Sequence, residues 1–143
     1  MKKSEQKKFK KSFDKIIKNL TQKIYLKNDT FVHRDFHISN LMMVKNKIGI
    51  IDSQDAMIGN KAYDLASLID DARFQTSVKL KNKIFNYYLK TQKILNKNSF
   101  KSDFNIISVL RNLKIIGIFT RLALRDNKKK YLKLIPYVWS LIK

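Results

Sequence analysis

Two short apolar runs, Leu41–Val44 and Ile48–Ile51, are parted only by Lys45-Asn46-Lys47. Four apolar residues, a polar break and four more predict an antiparallel β-hairpin. A three-residue turn sets Val44 opposite Ile48, and the same register sets Asn40 opposite Asp52. Directly opposed residues of an antiparallel pair hold their Cβ atoms about 4.5–5.5 Å apart. The expectation is therefore an amide and a carboxylate emerging together at the open end of one hairpin. Gly and Pro are scarce, 3 and 1 in 143 residues, which leaves the remainder of the chain to long helices.

Those helices are legible as spacing. Phe9, Phe13, Ile16, Ile17, Leu20 and Ile24 recur at helical intervals among lysines, and Asn28-Asp29 ends the run. Thr30–Asn40 and Ser53–Lys61 read as loops. Ala62–Phe74 and Val78–Leu95 read as helices, and Ser102 is an N-cap candidate for a long, mostly apolar helix to Leu124. Asp126-Asn127 breaks the chain before a last helical segment, Tyr131–Ile142, interrupted by Pro136. The fold class predicted is mainly α with one small β-hairpin, over residues 1–143 as a single unit. The aromatics Tyr87, Tyr88 and Trp139 read as core, and Asp70-Asp71 as a solvated helix face.

Composition narrows the function classes. The net charge is +20, from 31 basic and 11 acidic residues. Such an excess favours phosphate-bearing partners. The lysines are spread along the whole chain, however, so specific nucleic-acid recognition is not expected. No cysteine is present, which excludes disulfides and thiolate metal sites. The basic N-terminus has no apolar stretch behind it, and the apolar run Ile115–Phe119 is bracketed by Lys114 and Arg121. No signal peptide or membrane span of about 20 apolar residues is expected, and a cytoplasmic protein is.

The chemistry lies just before the hairpin. The loop reads His33-Arg34-Asp35-Phe36-His37-Ile38-Ser39-Asn40, the protein-kinase catalytic-loop spacing of H-R-D, four residues and N. Asp52 ends the second apolar run where kinases place D-F-G. Hard divalent cations such as Mg²⁺ take oxygen ligands, few of them from protein, and Asn40 and Asp52 are of that kind. Phosphoryl transfer needs such a cation and a carboxylate that orients the attacking hydroxyl. His33 and His37 lack the Glu and third ligand of a zinc site.

Phe31 through His37, Asn40-Leu41-Met42, Ile51 through Ala56, and Tyr63-Asp64-Leu65-Ala66-Ser67-Leu68 resemble the aminoglycoside phosphotransferase superfamily. Within it the likeness is strongest to the bacterial kinases that phosphorylate cell-wall amino sugars (N-acetylmuramate, N-acetylglucosamine) at the anomeric hydroxyl. Arg111 through Arg121, Arg125-Asp126 and Tyr131-Leu132 are similar to that subgroup as well. The resemblance implies ATP and Mg²⁺ as cofactors and a small hydroxylated acceptor, an amino sugar or aminoglycoside. It implies Asp35 as catalytic base, His33 and Arg34 as braces of the loop, and Asn40 and Asp52 as ligands of magnesium and its nucleotide. His37 would support the site, and Asp64 would hold the loop from below through backbone hydrogen bonds. Ser53 stands where this subgroup usually has Phe, and Asn60 where the family often has Pro after Gly59. No Gly-rich phosphate loop and no strand lysine precede His33, where 32 residues read as one helix. The expectation is a C-terminal lobe without its nucleotide-binding N-terminal lobe: the product of a split or truncated gene, or half of a two-chain protein whose partner is a separate lobe chain. The other readings are a non-enzymatic lobe remnant or scaffold and a basic nucleic-acid-binding protein.

Overall fold

The computed structural model describes residues 3–142. At its centre the hairpin forms from β2 (Leu41–Val44) and β3 (Lys47–Ile50), but one residue away from the expected register. Val44 pairs with Lys47, Met43 with Ile48 and Leu41 with Ile50. The turn holds two residues, Lys45 and Asn46, with φ of 46° and 62°. Left-handed backbone at both central positions gives a type I′ turn, whose twist matches that of the flanking strands. Asn40 therefore lies opposite Ile51, whose N–H donates to the Asn40 carbonyl at 3.1 Å. The expected pairing of Asn40 with Asp52 is not formed, because the tighter turn removes one residue from the count.

A second two-stranded sheet was not legible as strands. β1 (Asn28–Val32) pairs antiparallel with β4 (Met57–Asn60), Phe31 opposite Ile58 and Val32 opposite Met57. Both segments had read as loop or helix end, since Asn28-Asp29 and Gly59-Asn60 break any alternation. Gly59 sits close to β1: a Cβ at this position would meet Val32 Cγ2 at 3.2 Å, so Val32 would have to shift by a few tenths of an ångström.

The helices are α1 (Lys3–Thr21), α2 (Ala62–Ile69), α3 (Val78–Thr91), α4 (Lys97–Leu124) and α5 (Ile135–Ser140). α1 stops before Ile24, at Thr21, whose hydroxyl donates back to the Ile17 and Lys18 carbonyls. α2 ends at Ile69 rather than Phe74, where Asp70 leaves helical geometry. α3 begins at its cap Ser77, which accepts from Leu80 N, and stops at Thr91, with Lys93 left-handed soon after. The cap of α4 is Asn96, accepting from Ser99 N at 3.0 Å, so Ser102 lies inside the helix. The last segment changes from a 3₁₀ stretch, Lys129–Leu134, to α5 just before Pro136. Pro136 stands in the first turn of α5, where its missing N–H is no loss.

α2 and α4 enclose the main core of Ala62, Leu65, Ala66, Ile69, Leu89, Phe100 and Ile107. Tyr88 stacks on Phe100 at 5.6 Å between centroids, as a core aromatic should. Tyr87 and Trp139 are instead exposed. A smaller cluster gathers Ala72, Phe119 and Val138. The architecture is mainly helical with two small antiparallel sheets, and among the described residues no helix is long and apolar enough to cross a membrane.

Candidate active site

The catalytic-loop candidate runs from the end of β1 through a single 3₁₀ turn, Ile38–Asn40, into β2. Its first residues are fixed by one carboxylate. Asp64, in the first turn of α2, accepts from His33 N at 2.7 Å through Oδ2 and from Arg34 N at 3.0 Å through Oδ1. Arg34 has φ 73°, a conformation costing on the order of 1–3 kcal/mol unless its surroundings enforce it. The two bonds to Asp64 supply that enforcement. The Arg34 guanidinium also donates to the Asp55 carbonyl at 3.2 Å, tying the loop to the segment before β4.

His33 is buried, and its Nε2 lies 3.0 Å from the Ile51 carbonyl. A carbonyl only accepts, so Nε2 carries the proton. Phe36 meets the His33 ring edge-on at 6.2 Å. His33 thus binds the loop to the stretch that leads into Asp52.

Asp35 is held by its backbone. Its carbonyl accepts from His37 N at 3.0 Å and from the Asn40 amide nitrogen at 2.9 Å. Its carboxylate makes no hydrogen bond among the described residues and is half-exposed. A fixed backbone under an unengaged carboxylate is what a proton acceptor for an incoming hydroxyl requires.

Asn40 is 8% exposed, and because its Nδ2 is spent on Asp35 its Oδ1 remains as an acceptor. Asp52 is exposed and left-handed, φ 69°, so the hairpin register does not govern where its carboxylate points. Gln54 Nε2 donates to one of its oxygens at 2.5 Å. One neutral and one charged oxygen donor suit Mg²⁺, which keeps most of its sites for water and phosphate. Among the described residues no three His, Asp or Glu side chains cluster as a metal site. The two departures noted in the sequence have different outcomes. Ser53 is exposed, and among the described residues its side chain has no hydrogen-bond partner. Asn60 is buried and stiffens its turn by accepting from Ala62 N at 2.9 Å.

Asp70 and Asp71 are 8% and 1% exposed, which corrects the reading of a solvated face. α2 ends just before them, so both turn inward. Asp70 takes Lys81 Nζ at 2.5 Å on one oxygen and Ser108 Oγ at 2.5 Å on the other. Asp103, which the sequence did not single out at all, is fully buried and accepts from backbone N–H groups at Tyr25 and Leu26.

Burial holds the His37 pKa below its ordinary 6.5, helped by Arg73 and opposed by Asp71 and Asp35. Below pH 6.5 the unfolded chain protonates this residue while the folded chain resists. Stability is therefore expected to fall as pH drops through that value and below it. Urea unfolding at pH 7.5 and 5.5 checks this: His37→Gln should show a smaller loss than the wild type, and an equal loss would place the pH dependence elsewhere.

A kinase-type catalytic loop clamped by a helix carboxylate, followed by a hairpin and a second aspartate, defines a phosphotransferase fold. The chain belongs to the phosphotransferase enzyme family (APH), whose family model matches residues 2–95. It is similar to the N-acetylmuramate/N-acetylglucosamine kinase of Caulobacter vibrioides, 33% identical over 114 residues, 76% of this chain and 31% of that protein. The kinase of the same description from Neisseria meningitidis serogroup B is 37% identical over 74% of this chain and 34% of its own length. That of Pseudomonas aeruginosa is 37% identical over 74% and 33%. The chain thus spans about a third of the length of these relatives.

Proposed function

We propose that this chain is the catalytic half of an ATP-dependent phosphotransferase acting on a hydroxyl of a small amino sugar, and that it works with a nucleotide-binding lobe packed against its hairpin. The observation that carries the reading is the Asp64 clamp on His33 and Arg34, beside an Asp35 carboxylate that no other described residue engages by a hydrogen bond. The similarity to N-acetylmuramate/N-acetylglucosamine kinases supports the acceptor class.

In this reading Asp35 orients the acceptor hydroxyl and takes its proton as the new O–P bond forms and the bond from the γ-phosphorus to ADP breaks. Asn40 Oδ1 and the Asp52 carboxylate would hold Mg²⁺, which when bound neutralises phosphate charge. His33 and Arg34 keep the loop in register with Asp52 through the Ile51 and Asp55 carbonyls. The hairpin is the seat of the second lobe: Met42, Met43, Val44 and Ile48 are 50, 73, 52 and 66% exposed, an apolar surface that a soluble protein covers. The cytoplasm, where ATP is found, is the proposed compartment.

The test is an ATP-consumption assay with N-acetylmuramate, N-acetylglucosamine and an aminoglycoside, run with the 143-residue chain alone and with a co-expressed nucleotide-binding lobe from a relative. Positioning and electrostatics both depend on the two halves of the site, so turnover is expected only with the added lobe. Full turnover by the chain alone would remove the need for a second lobe. Absence of turnover with a correctly assembled lobe would leave a non-enzymatic remnant.

A further inference from the structure

A trough of about 600 Å³ lies between α4, the β1–β4 sheet and the residues that lead from α1 into β1. Asp35, Asn40 and Asp52 are not among its lining residues, so it is distinct from the groups given to phosphoryl transfer. Ile107, Leu110, Arg111 and Lys114 line it from α4, at the i, i+3, i+4, i+7 spacing of one helix face. That face is apolar in its first half and cationic in its second. The opposite wall follows the same order. At one end Asp103 takes Leu26 N and the Asn60 amide. At the other, Lys114 Nζ donates to the Tyr63 hydroxyl at 3.4 Å, and the neighbouring Asp64 clamps Arg34 N. Leu26, Val32 and Ile58 extend the apolar wall, and Arg34 joins Arg111 and Lys114 at the cationic end.

The cationic end is short of anions. Among the described residues no carboxylate side chain lines the trough. Arg111 is buried, and its one hydrogen bond among those residues is long, from Nη1 to the Asp70 backbone carbonyl at 3.4 Å. Most of its N–H donors are left without a protein partner. Burial disfavours its charge, opposed by Tyr63, Asp71, Asp35 and Asp70, yet no carboxylate accepts a hydrogen bond from it. Arg34 spends only Nη1, on the Asp55 carbonyl. A buried guanidinium without an ion-pair partner is costly, and a carboxylate or phosphate satisfies it through two parallel hydrogen bonds.

We infer that this trough is a binding site for a small amphipathic anion: a carboxylate or phosphate headgroup held by Arg111, Lys114 and Arg34, with an apolar tail laid along Leu110, Ile107 and Ile58. The cations select against a neutral apolar molecule, and the apolar wall against a bare inorganic anion. A second copy of the chain is a poor occupant, since each carries a net charge of +20. The site stands whether or not the catalytic loop transfers phosphate.

Calorimetric titration of the intact 143-residue chain tests it. Octanoate and octyl phosphate are expected to bind saturably, and the tighter of the two identifies the headgroup. Octanamide, which lacks the charge, and acetate, which lacks the tail, should bind at least about tenfold more weakly than octanoate. Arg111→Gln should weaken octanoate by at least about tenfold, and Lys114→Gln by roughly two- to fivefold. Lys114 is exposed, so the second variant carries the test if Arg111→Gln does not fold. Backbone amide shifts at Ile58 and Leu110, read by two-dimensional NMR, place the tail. No binding of either octyl anion, equal binding of octanoate and octanamide, or equal binding of octanoate and acetate would each overturn the assignment. Shifts that miss Ile58 and Leu110 would overturn it too, by giving the binding to lysines elsewhere on the surface. Loss of octanoate binding when a relative's nucleotide-binding lobe is co-expressed would make the trough a seat for that lobe and not a ligand site.

Discussion

Asp35→Asn, in the chain completed with a nucleotide-binding lobe, is expected to lower turnover by at least about 10²-fold, the low end for a positioned proton acceptor. The substitution keeps the side chain's size and removes its basicity. Both bonds that fix this part of the loop, from His37 N and from the Asn40 amide, end on the Asp35 carbonyl and not on its carboxylate. The Asp64 clamp on His33 and Arg34 is equally untouched. The loss should therefore appear in kcat, with the KM for ATP and the thermal midpoint close to wild type. Steady-state kinetics of purified variant and wild type decide the matter. Turnover within a few-fold of wild type would remove Asp35 from the chemistry, and a fall in the midpoint of comparable weight would make its role structural.

The parts of this site that the sequence discloses are those fixed by short-range spacing. H-R-D and the Asn five residues on are carried by one loop and one turn of 3₁₀ helix, so their order along the chain is their order in space. The two backbone bonds to Asp64 came from resemblance, because nothing in the local pattern tells an aspartate that clamps a loop from one that caps a helix. Register was lost at Lys45-Asn46. Lys is not a residue that announces left-handed backbone, and reading the turn one residue too long moves every opposed pair. The β1–β4 ladder was lost for another reason: Phe31 and Ile58 pair across the whole catalytic loop and hairpin, a separation that no local pattern spans. Asp70 and Asp71 were misread because charge at the end of an apolar helix normally faces water, and the turn at Asp70 is dictated by partners on α3 and α4. Asp103 left no signal, being one acid among polar residues on a helix whose buried face is itself partly polar.

That last residue carries the largest expected effect on stability. Asp103 is 0% exposed within α4, and it is the only described side chain bonded to the backbone N–H groups of both Tyr25 and Leu26. Both its oxygens lie 3.0–3.1 Å from Tyr25 N, Oδ2 is 2.7 Å from Leu26 N, and the Asn60 amide approaches the same oxygen at 3.4 Å. The residues it holds lead from α1 into β1, and Asn60 ends β4, so one carboxylate pins both strands of the sheet beneath the catalytic loop. Asp103→Ala strands two backbone donors and opens a small void. At about 1–3 kcal/mol for each buried donor left without a partner, two donors give an expected loss of roughly 2–6 kcal/mol. That is a large share of the ~5–15 kcal/mol typical of a folded domain. Asp103→Asn keeps one acceptor oxygen for this pair and should lose about half as much. Urea unfolding of the three proteins measures the differences, and hydrogen exchange at Tyr25 and Leu26 locates them. If Asp103→Ala stays within about 0.5 kcal/mol of wild type, the range of ordinary surface substitutions, then water replaces the carboxylate at these donors, and the strand pair must be held by its own ladder.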